Sequence, residues 1–145
     1  MSDGTAAMLP GGGRANARFR AVLNAVVPEA IALGDDEWRA AQMIIARALA
    51  TRPSSVRRQI ALFMHLLDAM SIARHRRRFT ALPAADATRL LETLSKSKLL
   101  LLRRGVWGLR TLAFMGYYAR ADASEAIGYR ATAAGWAARH AATDR

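Results

Sequence analysis

The sequence predicts an all-α fold, a single-domain helical bundle of about five main helices plus a short C-terminal helix. Apolar residues recur at spacings of three and four along most of the chain, and no segment alternates as a strand would. Prolines and acidic residues stand where one periodic segment ends and the next begins, at Pro28, Asp35, Pro53, Pro83 and Asp86. With 145 residues, one domain can bury most of its apolar surface without covalent staples.

Residues 1–13 hold Gly11 to Gly13 and small polar side chains, which cannot offset their ordering entropy by burial. They are expected to form a disordered arm, with residues 14–145 as the helical domain. From Ala15 to Val27, Phe19, Val22, Leu23, Val26 and Val27 fall on one stripe, with Arg14, Arg18 and Arg20 mostly off it. Pro28 ends or bends this helix, because it lacks an amide donor and crowds the preceding turn. Asp35 and Asp36 open a second helix at the positive end of its dipole, and Trp38, Ala41, Ile45, Ala48 and Leu49 form its apolar face. Pro53 closes that segment.

Ser54 or Ser55 is expected to cap a third helix. Val56, Ile60, Phe63, Met64, Leu67 and Met70 recur along it, and Leu62 and Leu66 add a second apolar side, so it is expected at the centre of the bundle. It runs into Arg74, His75, Arg76, Arg77 and Arg78, which suit a helix C-terminus electrostatically, and leaves through Phe79. Pro83 and Asp86 start a fourth helix carrying Leu90, Leu91 and Leu94, joined by Ser95 to Lys98 to the longest apolar segment, Leu99 to Tyr118.

That segment predicts a core helix about 30 Å long. It is not a membrane span, since Arg103, Arg104 and Arg110 fall within it and each costs roughly 2.5–3.5 kcal/mol at a bilayer centre. Gly105 and Gly108 lie three apart on one side, where a tight helix crossing is expected. Asp122 and Glu125 form a capping-box-like pair that predicts a short helix from about Ala123, and Gly128 supplies a left-handed stop before Tyr129. Ala133 to Ala142 is alanine-rich, so residues 132–145 form either a last helix or a flexible tail that orders against a partner.

Composition narrows the chemistry. There is no cysteine, which excludes disulfides, thiolate metal sites and cysteine nucleophiles. His65, His75 and His140 stand in no metal-ligand spacing; His65 and Asp68, three apart, read as a local hydrogen bond or surface feature. The only glycine cluster follows no strand, so no dinucleotide-binding turn is present, and the serines lack a nucleophile elbow. No catalytic residue, metal site or cofactor site is assigned to this chain, and it is not expected to be an enzyme.

The 22 basic residues against 11 acidic ones give a formal charge of +11, which calls for an acidic protein surface, anionic lipid or nucleic acid as counterpart. Arg74, Arg76, Arg77 and Arg78 form a basic patch that is either a solvated helix end or an anionic-surface contact. A phosphate-binding reading adds Arg52, Arg57 and Arg58 and makes the chain a small basic nucleic-acid-binding protein. Against it, only Phe79 offers a stacking surface beside the run. The aromatic residues Trp107, Tyr117, Tyr118, Tyr129 and Trp136 are either core or a partner interface, since Tyr, Trp and Arg are enriched at interface hot spots.

Tyr117 and Tyr118 end the long helix, a short acidic segment follows, and Ile127, Gly128 and Tyr129 come next, with Gly135 and Trp136 beyond. This pattern resembles the C-terminal signature of the gluconate 2-dehydrogenase subunit 3 family, small accessory subunits of flavin dehydrogenases. In that family Gly-Pro often follows the last tyrosine, whereas here Arg130 and Ala131 do. The resemblance implies a non-catalytic small subunit that supports the folding, stability or electron-acceptor docking of a separate large subunit. That flavoprotein partner would be an alcohol or sugar dehydrogenase of the glucose-methanol-choline type, and it would carry the FAD. Family members commonly begin with a twin-arginine export signal. None is visible here, so a cytoplasmic location is expected, with co-export to the periplasm alongside the partner as the alternative.

Overall fold

A computed structural model of the chain describes residues 12–128. Among the described residues six α-helices follow one another: α1 (Gly12–Val26), α2 (Asp35–Ala50), α3 (Ser54–His75), α4 (Ala84–Ser95), α5 (Leu100–Tyr118) and α6 (Ala121–Ala126). Short 3-10 turns cover Pro28–Ala32 and Phe79–Ala81, and no strand occurs among the described residues. The protein is a single all-α domain.

α5 occupies the centre and packs against each of the other five helices. Its buried residues Leu102, Val106, Leu109, Ala113 and Gly116 step by four, three, four and three, a stripe along one side of the helix. Two glycines let neighbours approach. At Gly116 an added Cβ would lie 2.8 Å from Ile45 Cδ1, so α2 rests directly on the α5 backbone there. At Gly105 an added Cβ would collide with the Phe63 ring, which marks the crossing of α3. Gly108, expected to share that crossing, faces open space.

α3 is therefore not the central helix. Phe63, Met64, Leu67 and Ser71 are buried, but Leu62 is 68% exposed and Leu66 also faces solvent. Its second apolar side meets no element of this chain among the described residues. α5 takes the middle because its two packing glycines bring α2 and α3 closer than side chains would allow.

Helix starts differ in detail from expectation. Neither Ser54 nor Ser55 caps α3: Pro53 is extended at the N-cap, and its carbonyl accepts the N–H of Val56 at 3.1 Å and of Arg57 at 3.3 Å. Asp122 does not cap α6 either. Arg120 holds the N-cap position, which places Asp122 inside the first turn, its carboxylate turned back toward the Arg120 guanidinium at 3.5 Å. α1 begins at Gly12, two residues inside the expected arm; residues 1–11 and 129–145 lie outside the described residues. Gly128 does adopt φ +70, and its N–H donates to Glu125 O at 2.9 Å, the left-handed stop that only a residue without Cβ takes readily.

Candidate functional site

The outer face of α5 carries the exposed rings. Trp107, Phe114 and Tyr118 stand seven and eleven residues apart, within about 40° of one another around the helix at 100° per residue. Trp107 is 73% exposed and Phe114 is exposed beside it, while Tyr118 is half-buried. The Phe114 and Tyr118 rings stack with centroids 6.2 Å apart, and Tyr118 meets Tyr117 edge-on at 5.0 Å. Arg103, Arg104 and Arg110 border this stripe, all exposed and none in an ion pair with a described residue. Leu62 and Leu66 flank Phe63 on α3 and add exposed apolar surface at the neighbouring crossing.

Tyr117 and Tyr118 divide the work, as adjacent positions about 100° apart must. Tyr117 packs against the core under Arg120, whose guanidinium carbon lies 4.8 Å from the ring centroid. Tyr118 lies on the outward stripe with Phe114. Of the five aromatic residues singled out from sequence, Trp107 and Tyr118 come together on one face and Tyr117 turns inward. Tyr129 and Trp136 lie outside the described residues. The sequence reading missed Phe114, Leu62 and Leu66, assigning Leu62 and Leu66 to a central helix; the available signal was that α3 and α5 carry more apolar residues than one buried stripe can use.

Arg120 itself is 5% exposed, and sequence reasoning passed it over. Its Nε–H donates to Tyr117 O at 3.1 Å, one nitrogen faces Glu37 Oε1 at 3.7 Å, and another faces Asp122. Glu37 in turn accepts the N–H of Gly34 at 2.7 Å through its other oxygen, closing the start of α2. One arginine thus ties the start of α2 to the α5–α6 junction. Nη1 is buried with no hydrogen-bond partner among the described residues, since 3.7 Å is too long for one.

The basic run leaves α3 on a pinned backbone. Arg74 lies in the last turn; Arg76 is the left-handed C-cap with φ 56, and its N–H donates to Ile72 O at 2.9 Å. Arg74, Arg76, Arg77 and Arg78 are all exposed. Beneath them Ser71 Oγ donates to Arg77 O at 2.7 Å, and the Phe79 N–H donates to Asp68 Oδ1 at 3.1 Å, which seats the fully buried Phe79 ring. Arg18 takes the other Asp68 oxygen at 2.7 Å, so Asp68 is committed to α1 and the Phe79 turn rather than to His65, which is exposed. Arg18 accordingly lies against the core, not off the stripe of α1. Arg52, Arg57 and Arg58 stand at the opposite end of α3, about 30 Å from Arg76 given 22 residues of helix.

A shallow cleft of about 410 Å³ opens between α1, α4 and the two 3-10 turns, lined by Arg20, Asn24, Ile31, Phe79, Leu82 and small alanines. The Asn24 carbonyl oxygen is buried there without a hydrogen-bond partner among the described residues. Among the described residues no three His, Asp or Glu side chains come together as a metal site, and no helix is long and apolar enough to cross a membrane. Compared with protein-family models, with curated proteins and with solved structures, the chain matches none.

Proposed function

We propose that this chain is a non-catalytic subunit that binds and supports a larger FAD-dependent alcohol or sugar dehydrogenase, docking through the outer face of α5. The observation that carries the reading is Trp107, an indole left largely in solvent on a helix whose opposite stripe is buried. Phe114 and Tyr118 extend the surface, and three arginines that pair with no described acid border it, the residue types that dominate interface hot spots. The arginines favour an acidic partner. That the partner is a flavoprotein of the glucose-methanol-choline type rests on the resemblance at Tyr117, Tyr118, Ile127, Gly128 and Tyr129. In this reading FAD and substrate belong to the large subunit, and this chain contributes contact surface alone. The expected compartment is the cytoplasm, or the periplasm if the two chains are exported together.

The test is co-expression with a candidate flavoprotein followed by affinity measurement of Trp107→Ala and Tyr118→Ala. Each is expected to weaken the complex by about thirtyfold, the roughly 2 kcal/mol that a hot-spot ring contributes. Affinity should persist in moderate salt. Retention of the partner by both variants at parental affinity would move the interface elsewhere, and stoichiometric FAD on the isolated chain would overturn the non-catalytic assignment. Capture of nucleic acid with a steep loss of affinity in salt would favour the phosphate-binding reading of Arg74 and Arg76 to Arg78.

A further inference from the structure

The corner between α4 and α5 presents three consecutive leucines to solvent. Leu99, Leu100 and Leu101 are 64%, 49% and 75% exposed, while Leu102, the next residue, is buried and roots the corner in the core. The backbone is firm at this point: the Leu99 N–H donates to Ser97 Oγ at 3.1 Å, and the Leu99 carbonyl accepts the N–H of Leu102 at 3.1 Å and of Arg103 at 3.3 Å. Successive residues in a helix point about 100° apart, so Leu100 and Leu101 project in different directions, with Leu99 ahead of them at the N-cap. A flat protein surface covers one side of such a convex tip. A fluid apolar medium covers all of it.

The charges that flank the tip in sequence, from residue 93 to residue 121, have one sign. Lys96 and Lys98 precede the leucines and Arg103 and Arg104 follow them; all four are exposed, and none forms an ion pair with a described residue. No acidic residue occurs between Glu92 and Asp122. α5 starts without a side-chain cap and with no acid in its first turn, so its dipole adds positive potential at the same corner. Lysine and arginine stems can lie along apolar surface while their heads remain at phosphate level.

We propose that this corner is a peripheral membrane tip, in which Leu99, Leu100 and Leu101 enter the acyl boundary of an anionic bilayer while Lys96, Lys98, Arg103 and Arg104 meet the lipid phosphates. The inference does not rest on the flavoprotein reading: it stands on the leucines and lysines at the start of α5 and needs no partner protein, although Arg103 and Arg104 also border the proposed docking face. Contact is peripheral, because no described helix has the length and apolarity to span.

Flotation of the full chain with phosphatidylcholine vesicles, with and without phosphatidylglycerol, tests it. Binding is expected only when phosphatidylglycerol is present. The double variant Leu99→Ser/Leu101→Ser, at exposed positions where helical content should be unchanged, is expected to weaken binding by about tenfold or more at constant salt. Lys96→Glu/Lys98→Glu should weaken it as well, whereas Arg77→Glu/Arg78→Glu, at the C-terminal end of α3, should leave most of it. Three results would overturn the proposal: no binding to anionic vesicles, parental binding by the serine variant, or equal loss from both charge reversals, which would mean attraction to net charge alone. Leucine-dependent self-association without vesicle binding would instead make the tip a contact between copies of the chain.

Discussion

The Asp68 carboxylate stands 2.7 Å from Arg18 Nε across 50 residues of sequence, with 11% and 14% of the two side chains exposed, and its second oxygen accepts the Phe79 N–H. One acid joins α3 to α1 and to the turn that follows the basic run. Removing it strands a nearly buried guanidinium and an amide together. Asp68→Ala is expected to cost about 3 kcal/mol. Urea unfolding followed by circular dichroism checks this, and a loss below about 0.5 kcal/mol, the level of ordinary surface substitutions, would show that the pair contributes little.

Gly105 and Gly108 give opposite forecasts for the same substitution. At Gly105 a methyl group meets the Phe63 ring, and overpacking of this kind costs about 1–3 kcal/mol. At Gly108 a methyl group meets nothing within 4 Å, so Gly108→Ala should stabilise by up to about 1 kcal/mol through helix propensity. Thermal unfolding of the two single variants separates them, and a shift of the same sign in both would contradict the crossing at Phe63.

Arg76 carries φ 56, a conformation that favours glycine, and its exposed side chain forms no ion pair with a described residue. Arg76→Gly should therefore raise stability by about 0.5–1 kcal/mol, despite losing one cation at the helix C-terminus. Denaturant midpoints at low and moderate salt would separate the backbone gain from the lost charge–dipole attraction, since only the second is screened.

At the C-terminal end of α5, Arg120 rather than Asp122 is expected to hold α6. Arg120→Ala removes the bond to Tyr117 O and the links to Glu37 and Asp122 together, so amide exchange should accelerate across residues 121–126 while the middle of α5 stays protected. Asp122→Ala should change exchange little, because an ion pair with one largely exposed member contributes at most about 1 kcal/mol and no cap is lost. Gly128→Val should again speed exchange locally, since φ +70 is strained for a β-branched residue.

Much of the architecture was legible in local pattern. Helical periodicity depends on residues three and four apart, so the helices stand close to their expected bounds, Pro28 ends α1, Asp35 opens α2, and Gly128 takes its left-handed stop. Cap identity was less legible, because Ser54 and Asp122 each sit one or two residues inside a helix whose N-cap position belongs to Pro53 or Arg120. The choice between core and surface on α3 and α5 could not be made locally at all. Both helices are apolar on more than one side, and periodicity does not say which side a neighbour will cover. Packing decided it: Ile45 on Gly116 and Phe63 on Gly105 turned one stripe of α5 inward and left Trp107 and Phe114 outside. The ion pair from Asp68 to Arg18 and the burial of Arg120 arose the same way, from partners dozens of residues apart whose attraction exists only once the chain has closed around them.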